Sequence, residues 1–119
     1  MSKYADLFLL PIFEENVPAY KKLALTAGKA FLKHGALRYR EYVASDLNAE
    51  GLVSFTKLLK LKPGETVIYA AVEFKSEAHR NAVLKKFMQD PELTPSSNKP
   101  MPFNVKRMAY GGFKILVDL

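Results

Sequence analysis

Residues 4–13, Tyr-Ala-Asp-Leu-Phe-Leu-Leu-Pro-Ile-Phe, decide the fold of this 119-residue chain. The run is short and apolar and is interrupted by Pro11 near its end, a pattern that predicts a β-strand. Apolar side chains occupy both alternating sets of positions: Phe8, Leu10 and Ile12 in one set, and Ala5, Leu7 and Leu9 in the other. A strand with two apolar faces belongs to a sheet that is covered on both sides.

A helix is predicted next, over residues 17–34. Asn16 is a suitable N-cap, and Pro18 falls in the first turn, where a backbone N–H is not needed. The members of one mainly apolar stripe recur at steps of three and four: Val17, Tyr20, Ala24, Ala27, Phe31 and His34. Gly35 suits the left-handed position that follows many helices, so the helix is expected to end before it.

A second strand is predicted over residues 36–47, because the side chains alternate. Leu37, Tyr39, Glu41 and Val43 share one face, and Arg38, Arg40 and Tyr42 share the other. Residues 54–74 are then predicted to form a hairpin around Lys62-Pro63-Gly64-Glu65, in which Pro and Gly suit a type II turn. This hairpin joins an extra short strand, residues 54–61, to the third main strand, residues 66–74.

A second helix is predicted over residues 77–90, with Ser76 as its N-cap and Asp90-Pro91 at its end. The last strand is predicted over residues 106–117. Gly111-Gly112 interrupts that strand, which indicates either a bulge or the close approach of another group.

The predicted order is strand, helix, strand, strand, helix, strand. This is the βαββαβ arrangement of ferredoxin-like α+β folds, here in one domain over residues 1–119. Two helices cover only one face of a four-stranded sheet, so the second apolar face needs another partner. A second copy of the chain is the simplest one, and we expect a homodimer with its sheet faces packed together as a dimeric α/β barrel.

Composition excludes several classes of protein. The chain has no cysteine, which excludes disulfides and thiolate metal sites. Its net charge of +6 is spread evenly, with nine basic and six acidic residues in each of residues 1–60 and 61–119, so no nucleic-acid partner is expected. The longest apolar run is far shorter than the roughly 20 residues of a membrane span. Without a signal peptide at the start, a cytoplasmic protein that avoids membranes is expected.

Known enzyme motifs are also absent from the sequence. It contains no dinucleotide or Walker motif and no Gly-x-Ser-x-Gly elbow. Its two histidines, His34 and His79, do not have the spacing of metal ligands. We therefore expect no metal and no cofactor.

Several segments resemble one known family along nearly the whole chain: His34–Leu37, Lys62–Val67, Lys75–Arg80, Asp90-Pro91 and Met101–Phe113. The last of these is the most specific, with Met-Pro-Phe, then Lys-Arg-Met, then Tyr-Gly-Gly-Phe. The sequence is similar to the YbaA-like bacterial proteins, a family of unknown function (DUF1428). The resemblance implies the dimeric α/β-barrel fold and no established activity. The wider superfamily contains cofactor-independent monooxygenases, isomerases and ligand-sensing modules.

Six residues are candidates for a pocket: His34, His79, Tyr110, Arg107, Arg38 and Tyr20. His34 is either a base at a pocket mouth or a helix-terminal residue that favours the negative end of the dipole. His79, in the first turn of the second helix, is either a neutral proton acceptor or a polar edge of the helix–sheet contact.

The other four candidates also carry two interpretations each. Arg38, with Arg40, either clamps an anionic ligand or, less specifically, forms salt bridges at an interface or is simply exposed. Arg107 and Tyr110 belong to the segment most similar to the family. A bend at Gly111-Gly112 either opens a cavity lined by Tyr110, Tyr20 and Phe31 or only lets the dimer close.

Three functions are consistent with this sequence. The favoured one is a small module that binds an apolar or aromatic molecule. The second is a cofactor-independent enzyme, monooxygenase- or isomerase-like, that acts on an aromatic or enolisable substrate. The third is a purely structural dimer. Residues 94–102, rich in Pro, Ser and Asn, form either a lid or a plain connector.

Overall fold

One antiparallel sheet of four strands organises the chain. A computed structural model describes residues 3–93 and 101–119. The main elements are β1 (Tyr4–Phe13), α1 (Val17–Lys33), β2 (Arg38–Val43), α2 (Phe55–Leu58), β3 (Glu65–Phe74), α3 (Glu77–Met88) and β4 (Ala109–Lys114). The strand order is β2-β3-β1-β4, with every neighbouring pair antiparallel. This order and the two long helices confirm the ferredoxin-like α+β fold.

The core lies between one face of the sheet and the helices α1 and α3. Phe74, Val72 and Val83 are at most 1% exposed. Phe31 of α1 stacks on Phe87 of α3, with ring centroids 4.0 Å apart. Phe74 and Val72 of β3 therefore point towards the helices. Side chains alternate along a strand, so every second residue of each strand points the same way. We call this side of the sheet the helix face.

The opposite side, which we call the open face, is also largely apolar. Leu7, Leu9, Tyr69, Ala109 and Phe113 alternate with the helix-facing residues and surround a hollow of about 240 Å³. The ring of Phe113 is 52% exposed. The two apolar faces predicted for the first strand are therefore present. Helices α1 and α3 cover one of them, and among the described residues the other stays partly open around Leu7, Leu9 and Phe113.

Several predicted ends of elements are confirmed. β1 has the predicted bounds, and α1 ends one residue earlier than predicted. Gly35 follows α1 with a φ of 110°. Gly64 has a φ of 85° and the Glu65 N–H donates to the Lys62 carbonyl at 3.0 Å, as a turn at this position requires. Ser76 caps α3 by accepting a hydrogen bond from the His79 N–H at 3.1 Å.

The extra strand over residues 54–61 is wrong. Residues 55–58 form the one-turn helix α2 instead, and Ser54 caps it by accepting from the Lys57 N–H at 3.2 Å. The chain then reverses through Lys60, which has a φ of 51°. A serine cap and a left-handed residue outweigh the alternating pattern that suggested a strand.

Other boundaries differ as well. β2 is shorter than the predicted 36–47, and β4 is shorter than the predicted 106–117, because Val105–Arg107 form a 3₁₀ turn capped by Asn104. Asn16 makes no capping hydrogen bond, since a 3₁₀ turn precedes α1 directly. The register of β4 with β1 is continuous through Gly111 and Gly112, so there is no bulge. Residues 94–100 lie outside the described residues, so the interpretations of 94–102 stay open.

Candidate functional site

A cavity of about 150 Å³ lies on the helix face of the sheet, next to α1. Five of its lining residues are aromatic: Phe8, Tyr20, Phe31, Tyr39 and Phe103. Four more are apolar: Leu10, Ala70, Val72 and Met108. Glu41 is the only charged residue in this lining, counted over the described part of the chain. The cavity is thus an apolar space with one carboxylate in its wall.

Two tyrosine hydroxyls hold the Glu41 carboxylate. Tyr20 Oη donates to Glu41 Oε1, and Tyr39 Oη donates to Glu41 Oε2. Tyr39 and Glu41 are two residues apart on β2, so they point to the same face. Tyr20 reaches them from the first part of α1. Both oxygens of the carboxylate therefore accept hydrogen bonds from neutral donors.

The environment keeps both of these phenols protonated. Burial raises the pKa of Tyr20 well above its ordinary value of 10.0, and the hydrogen bond to Glu41 and its negative charge raise it further. The same three causes, in the same order, raise the pKa of Tyr39. The two hydroxyls consequently remain hydrogen-bond donors throughout the physiological pH range.

Helix α1 has a glycine where it passes Tyr39. A Cβ atom on Gly28 would lie 2.6 Å from Tyr39 Cδ1. The ring of Tyr39 also stacks on Phe31, with centroids 5.8 Å apart. The close approach allowed by Gly28 and the stacking on Phe31 fix the ring whose hydroxyl holds Glu41.

A second polar cluster lies where α3 crosses β1 and β4. Arg80 Nη1 donates to Asp6 Oδ1 at 2.9 Å and to Tyr110 Oη at 2.6 Å. Tyr110 Oη in turn donates to Asp6 Oδ1 at 2.9 Å. Burial is the largest single effect and lowers the pKa of Arg80, but Asp6, Tyr110 and Tyr4 together raise the pKa of the guanidinium above its ordinary value. Asp6 is 2% exposed, so the cluster neutralises a charge inside the core.

The structure brings only one of the six candidates, Tyr20, into the cavity. Phe31 also lines it, whereas Tyr110 belongs to the Asp6 cluster. Arg38 is exposed on the open face opposite Glu73. Arg107 donates to Glu65 Oε2 at 2.5 Å and to the carbonyls of two residues after α2.

The two histidines lie outside the lining of the cavity. His34 Nε2 is 2.7 Å from Asp90 Oδ2, which ties the end of α1 to the turn after α3. His34 supplies the first of the hydrogen bonds that hold the pKa of Asp90 below its usual range. His79 Nδ1 accepts a hydrogen bond from the Lys75 N–H at 3.0 Å, and its ring packs edge-on against Phe74.

The sequence prediction missed the roles of Glu41 and Asp6. The alternating pattern places Glu41 on one strand face with Tyr39, which is correct, but gives the carboxylate no role. The alternation of a tyrosine and a glutamate on a half-buried strand was the available signal. Asp6 was the one charged residue in a strand predicted to be buried, and buried charges require partners.

The described residues give no sign of a metal or a membrane span. Over residues 3–93 and 101–119, no three His, Cys, Asp or Glu side chains come together as a metal-binding group. No helix in the same ranges is long and apolar enough to cross a bilayer.

Comparisons with known proteins agree with the fold. The uncharacterized protein YbaA of Escherichia coli (strain K12) is 34% identical over 116 residues, which are 98% of each chain. The same figures hold for YbaA of Shigella flexneri. The crystal structure of a dimeric ferredoxin-like protein from an uncultured marine organism covers all of both chains with a TM-score of 0.56 at 11% identity. The family described as "Protein of unknown function (DUF1428)" matches residues 3–105. The chain therefore belongs to the DUF1428 family, together with YbaA.

Proposed function

We propose that this protein is a homodimeric module that binds an apolar or aromatic small molecule in the cavity beside α1. The observation that carries the proposal is a cavity with apolar and aromatic walls and a single carboxylate. Ligand sites in proteins share this composition, with a few polar groups that orient the ligand. The cavity of about 150 Å³ has room for one small ring with a short substituent.

The walls and the carboxylate have separate roles in this proposal. Burial of a ligand against apolar walls contributes about 25 cal/mol per Å² of apolar surface. Glu41 accepts a hydrogen bond from the ligand and so sets its orientation. Tyr20 and Tyr39 hold the carboxylate in place before the ligand arrives, which lowers the entropic cost of binding.

The homodimer is supported by the open face of the sheet. Leu7, Leu9 and Phe113 form an apolar surface there that no helix in the described part of the chain covers. A dimer with its sheet faces together would cover that surface in both copies by one symmetric contact. The marine protein of similar fold is described as dimeric, which agrees with this proposal. Two sheets closed in this way form the dimeric α/β barrel.

A fragment screen followed by thermal unfolding tests the binding proposal. A ligand that binds only the folded protein raises the unfolding temperature in a saturable way. The Ala70→Leu substitution fills the cavity from the sheet side and is expected to abolish the shift. Ala82→Leu, on the exposed side of α3, is the matched control and is expected to retain it. Fragments that bind equally well to the Ala70→Leu protein would contradict the proposal.

One observation favours catalysis as a second candidate function. Glu41 is a carboxylate in the wall of an apolar cavity, and such a group can take a proton from an enolisable or aromatic substrate. The two tyrosines are donors that can stabilise the charge that develops. A cofactor-independent enzyme of this kind would lose turnover in the Glu41→Gln variant while it retains substrate binding. A binding module would form no product in either protein.

Cellular location is a separate proposal. We expect the protein in the cytoplasm, and fractionation of cells that produce it at its natural level tests this. Recovery with the membrane or with a secreted fraction would contradict it.

A further inference from the structure

Glu41 differs in its partners from three other buried carboxylates of the described chain. Each of those three contacts a basic side chain within hydrogen-bond distance: Asp6 contacts Arg80, Glu65 contacts Arg107, and Asp90 contacts His34 and Lys33. Glu41 contacts two neutral hydroxyls, and no ion pair joins it to any residue of 3–93 or 101–119. A partly buried carboxylate gains most from a partner that carries positive charge.

The walls of the cavity also favour a partner that carries positive charge. Five aromatic rings line it, and the face of an aromatic ring attracts a cation through its quadrupole. Two of these rings belong to Tyr20 and Tyr39, which donate their hydroxyl hydrogens to Glu41. The carboxylate and the rings together produce a negative potential in a space too small for more than a few water molecules.

Basic side chains of residues 3–93 and 101–119 lie outside this space. Lys21 and Lys29 line hollows along the outer side of α1 that also reach Glu41, but neither lines the cavity itself. A ligand inside the cavity meets Glu41 as the one formal charge in its described lining. An anionic ligand would have to leave water for a site with a negative charge and no cation, which is unfavourable.

We infer that the ligand is a small organic cation, an aromatic or alkyl ammonium, whose charged nitrogen contacts Glu41 while the aromatic rings surround its apolar part. The inference rests on the proposed function, because it names the ligand class of the same cavity. The volume of about 150 Å³ limits the cation to roughly one six-membered ring and a short chain.

Three probes of nearly equal shape test the inference: benzylammonium, benzyl alcohol and benzoate. Their affinities for the purified protein are measured by titration with NMR detection. Benzylammonium is expected to bind at least about tenfold more tightly than benzyl alcohol, because a charge-assisted hydrogen bond and cation–π contacts are added. Benzoate is expected to bind most weakly.

Two variants test whether Glu41 causes the preference for benzylammonium. Glu41→Gln retains the shape of the side chain but removes its charge, so the preference for benzylammonium over benzyl alcohol is expected to disappear. Glu50→Gln makes the same change in net charge on an exposed loop residue and is expected to leave the preference unchanged. Near-ultraviolet circular dichroism of each variant verifies that the fold is retained.

Each remaining outcome overturns the inference. If benzyl alcohol or benzoate binds the cavity as tightly as benzylammonium or more tightly, the ligand is not a cation, but the proposed binding function stands. A preference for benzylammonium that survives in Glu41→Gln would place the cation elsewhere. If none of the three probes binds, the cation is refuted, and the separate fragment screen decides whether the cavity binds small molecules at all.

Discussion

Glu41 lies on an edge strand, and its carboxylate is nevertheless half-buried because Tyr20 and Tyr39 lie against it. Alternation along the strand was enough to predict that Tyr39 and Glu41 share a face. The contact with Tyr20 could not be predicted, because it depends on the distance between α1 and β2. Gly28 sets that distance by its missing side chain, and a glycine in a helix has no unique meaning in a sequence.

The two phenols give a prediction for alkaline pH. Their pKa values are raised in the folded protein, so their contribution to stability is fully present below about pH 10 and declines as the pH rises above it. Tyr20 and Tyr39 are therefore expected to ionise only as the protein unfolds. A titration followed by phenolate absorbance and circular dichroism together should show part of the absorbance rise in step with unfolding.

The Glu41→Gln variant is the control for this titration. The substitution removes the negative charge of Glu41, which contributes to the raised pKa values of Tyr20 and Tyr39. Burial still raises the pKa values of both phenols. The two phenols should then ionise at lower pH than in the natural protein. An unchanged titration in the variant would show that Glu41 does not hold these hydroxyls.

Gly112 is predicted to be the glycine least tolerant of alanine in β4. A Cβ atom there would lie 2.1 Å from the hydroxyl oxygen of Tyr4, whose ring is buried in the core. Gly112→Ala is expected to lower the free energy of unfolding by about 1–3 kcal/mol, because the buried ring has to move. Chemical denaturation measures this loss.

Gly111→Ala is the matched control on the same strand. Its Cβ would meet the ring of Phe113, at 2.9 Å, and in a single chain that exposed ring can turn away, so the two variants are compared at concentrations low enough to dissociate the dimer. The expected change is within about 0.5 kcal/mol. Equal losses in the two variants would contradict the account of why β4 contains this glycine pair.

At the scale of elements, two serines cap helices of very different length. The sequence predicted the cap at Ser76 correctly, since a serine before an apolar helical pattern is a strong signal. At Ser54 the same signal competes with an alternating pattern that follows it, and α2 is only four residues long. Short capped turns cannot be separated from short strands by periodicity alone.

The two serine caps predict unequal losses of stability when each serine is replaced by alanine. Ser76→Ala is expected to lower the free energy of unfolding by about 1 kcal/mol, since it leaves an N–H of the 12-residue helix α3 unsatisfied. Ser54→Ala should cost less than about 0.5 kcal/mol, because α2 is exposed and fixes little of the core. Urea unfolding of both variants measures the difference, and a larger loss at Ser54 would contradict this assignment.

Asp90 joins the end of α1 to the turn after α3, and its lowered pKa predicts how stability changes at acid pH. The hydrogen bond from His34 and the other partners keep the pKa of Asp90 below its ordinary value of 3.8. Its contribution to stability is thus present above that pH and is lost as the pH falls through the lowered value. Asp90→Asn is expected to destabilise the protein at pH 7 and to weaken the pH dependence of acid unfolding.

Glu92→Gln is the control for this acid prediction. The Glu92 side chain lies within 3.8 Å of the same lysine, Lys33, but is 80% exposed. Its removal should leave the acid transition almost unchanged, because exposed ion pairs contribute little. Equal effects of Asp90→Asn and Glu92→Gln would show that the contact with His34 is not what stabilises this junction.

At the scale of the whole molecule, the order of elements and the two apolar faces of β1 were sufficient to predict the fold and to expect a second copy. One chain by itself contains no information on the geometry of the contact with its partner. The barrel therefore remains a proposal, whereas the sheet order follows from the described hydrogen bonds.

The proposed interface predicts that a charge weakens the dimer at one leucine and not at another. Leu9→Glu places a charge in the centre of the open face and is expected to raise the dissociation constant of the dimer at least about tenfold, since a buried charge without a partner is unfavourable. Leu23→Glu makes the same change on α1, where the side chain is 47% exposed, and should leave the assembly intact. Sedimentation velocity over a range of concentrations compares the two.

The account depends most on the second copy, and native mass spectrometry of the purified protein tests it most directly. We predict a species of twice the 13.4 kDa chain mass, which the Leu9→Glu substitution converts to the single chain. A monomer at every concentration would contradict the account, because the apolar open face would then have no partner.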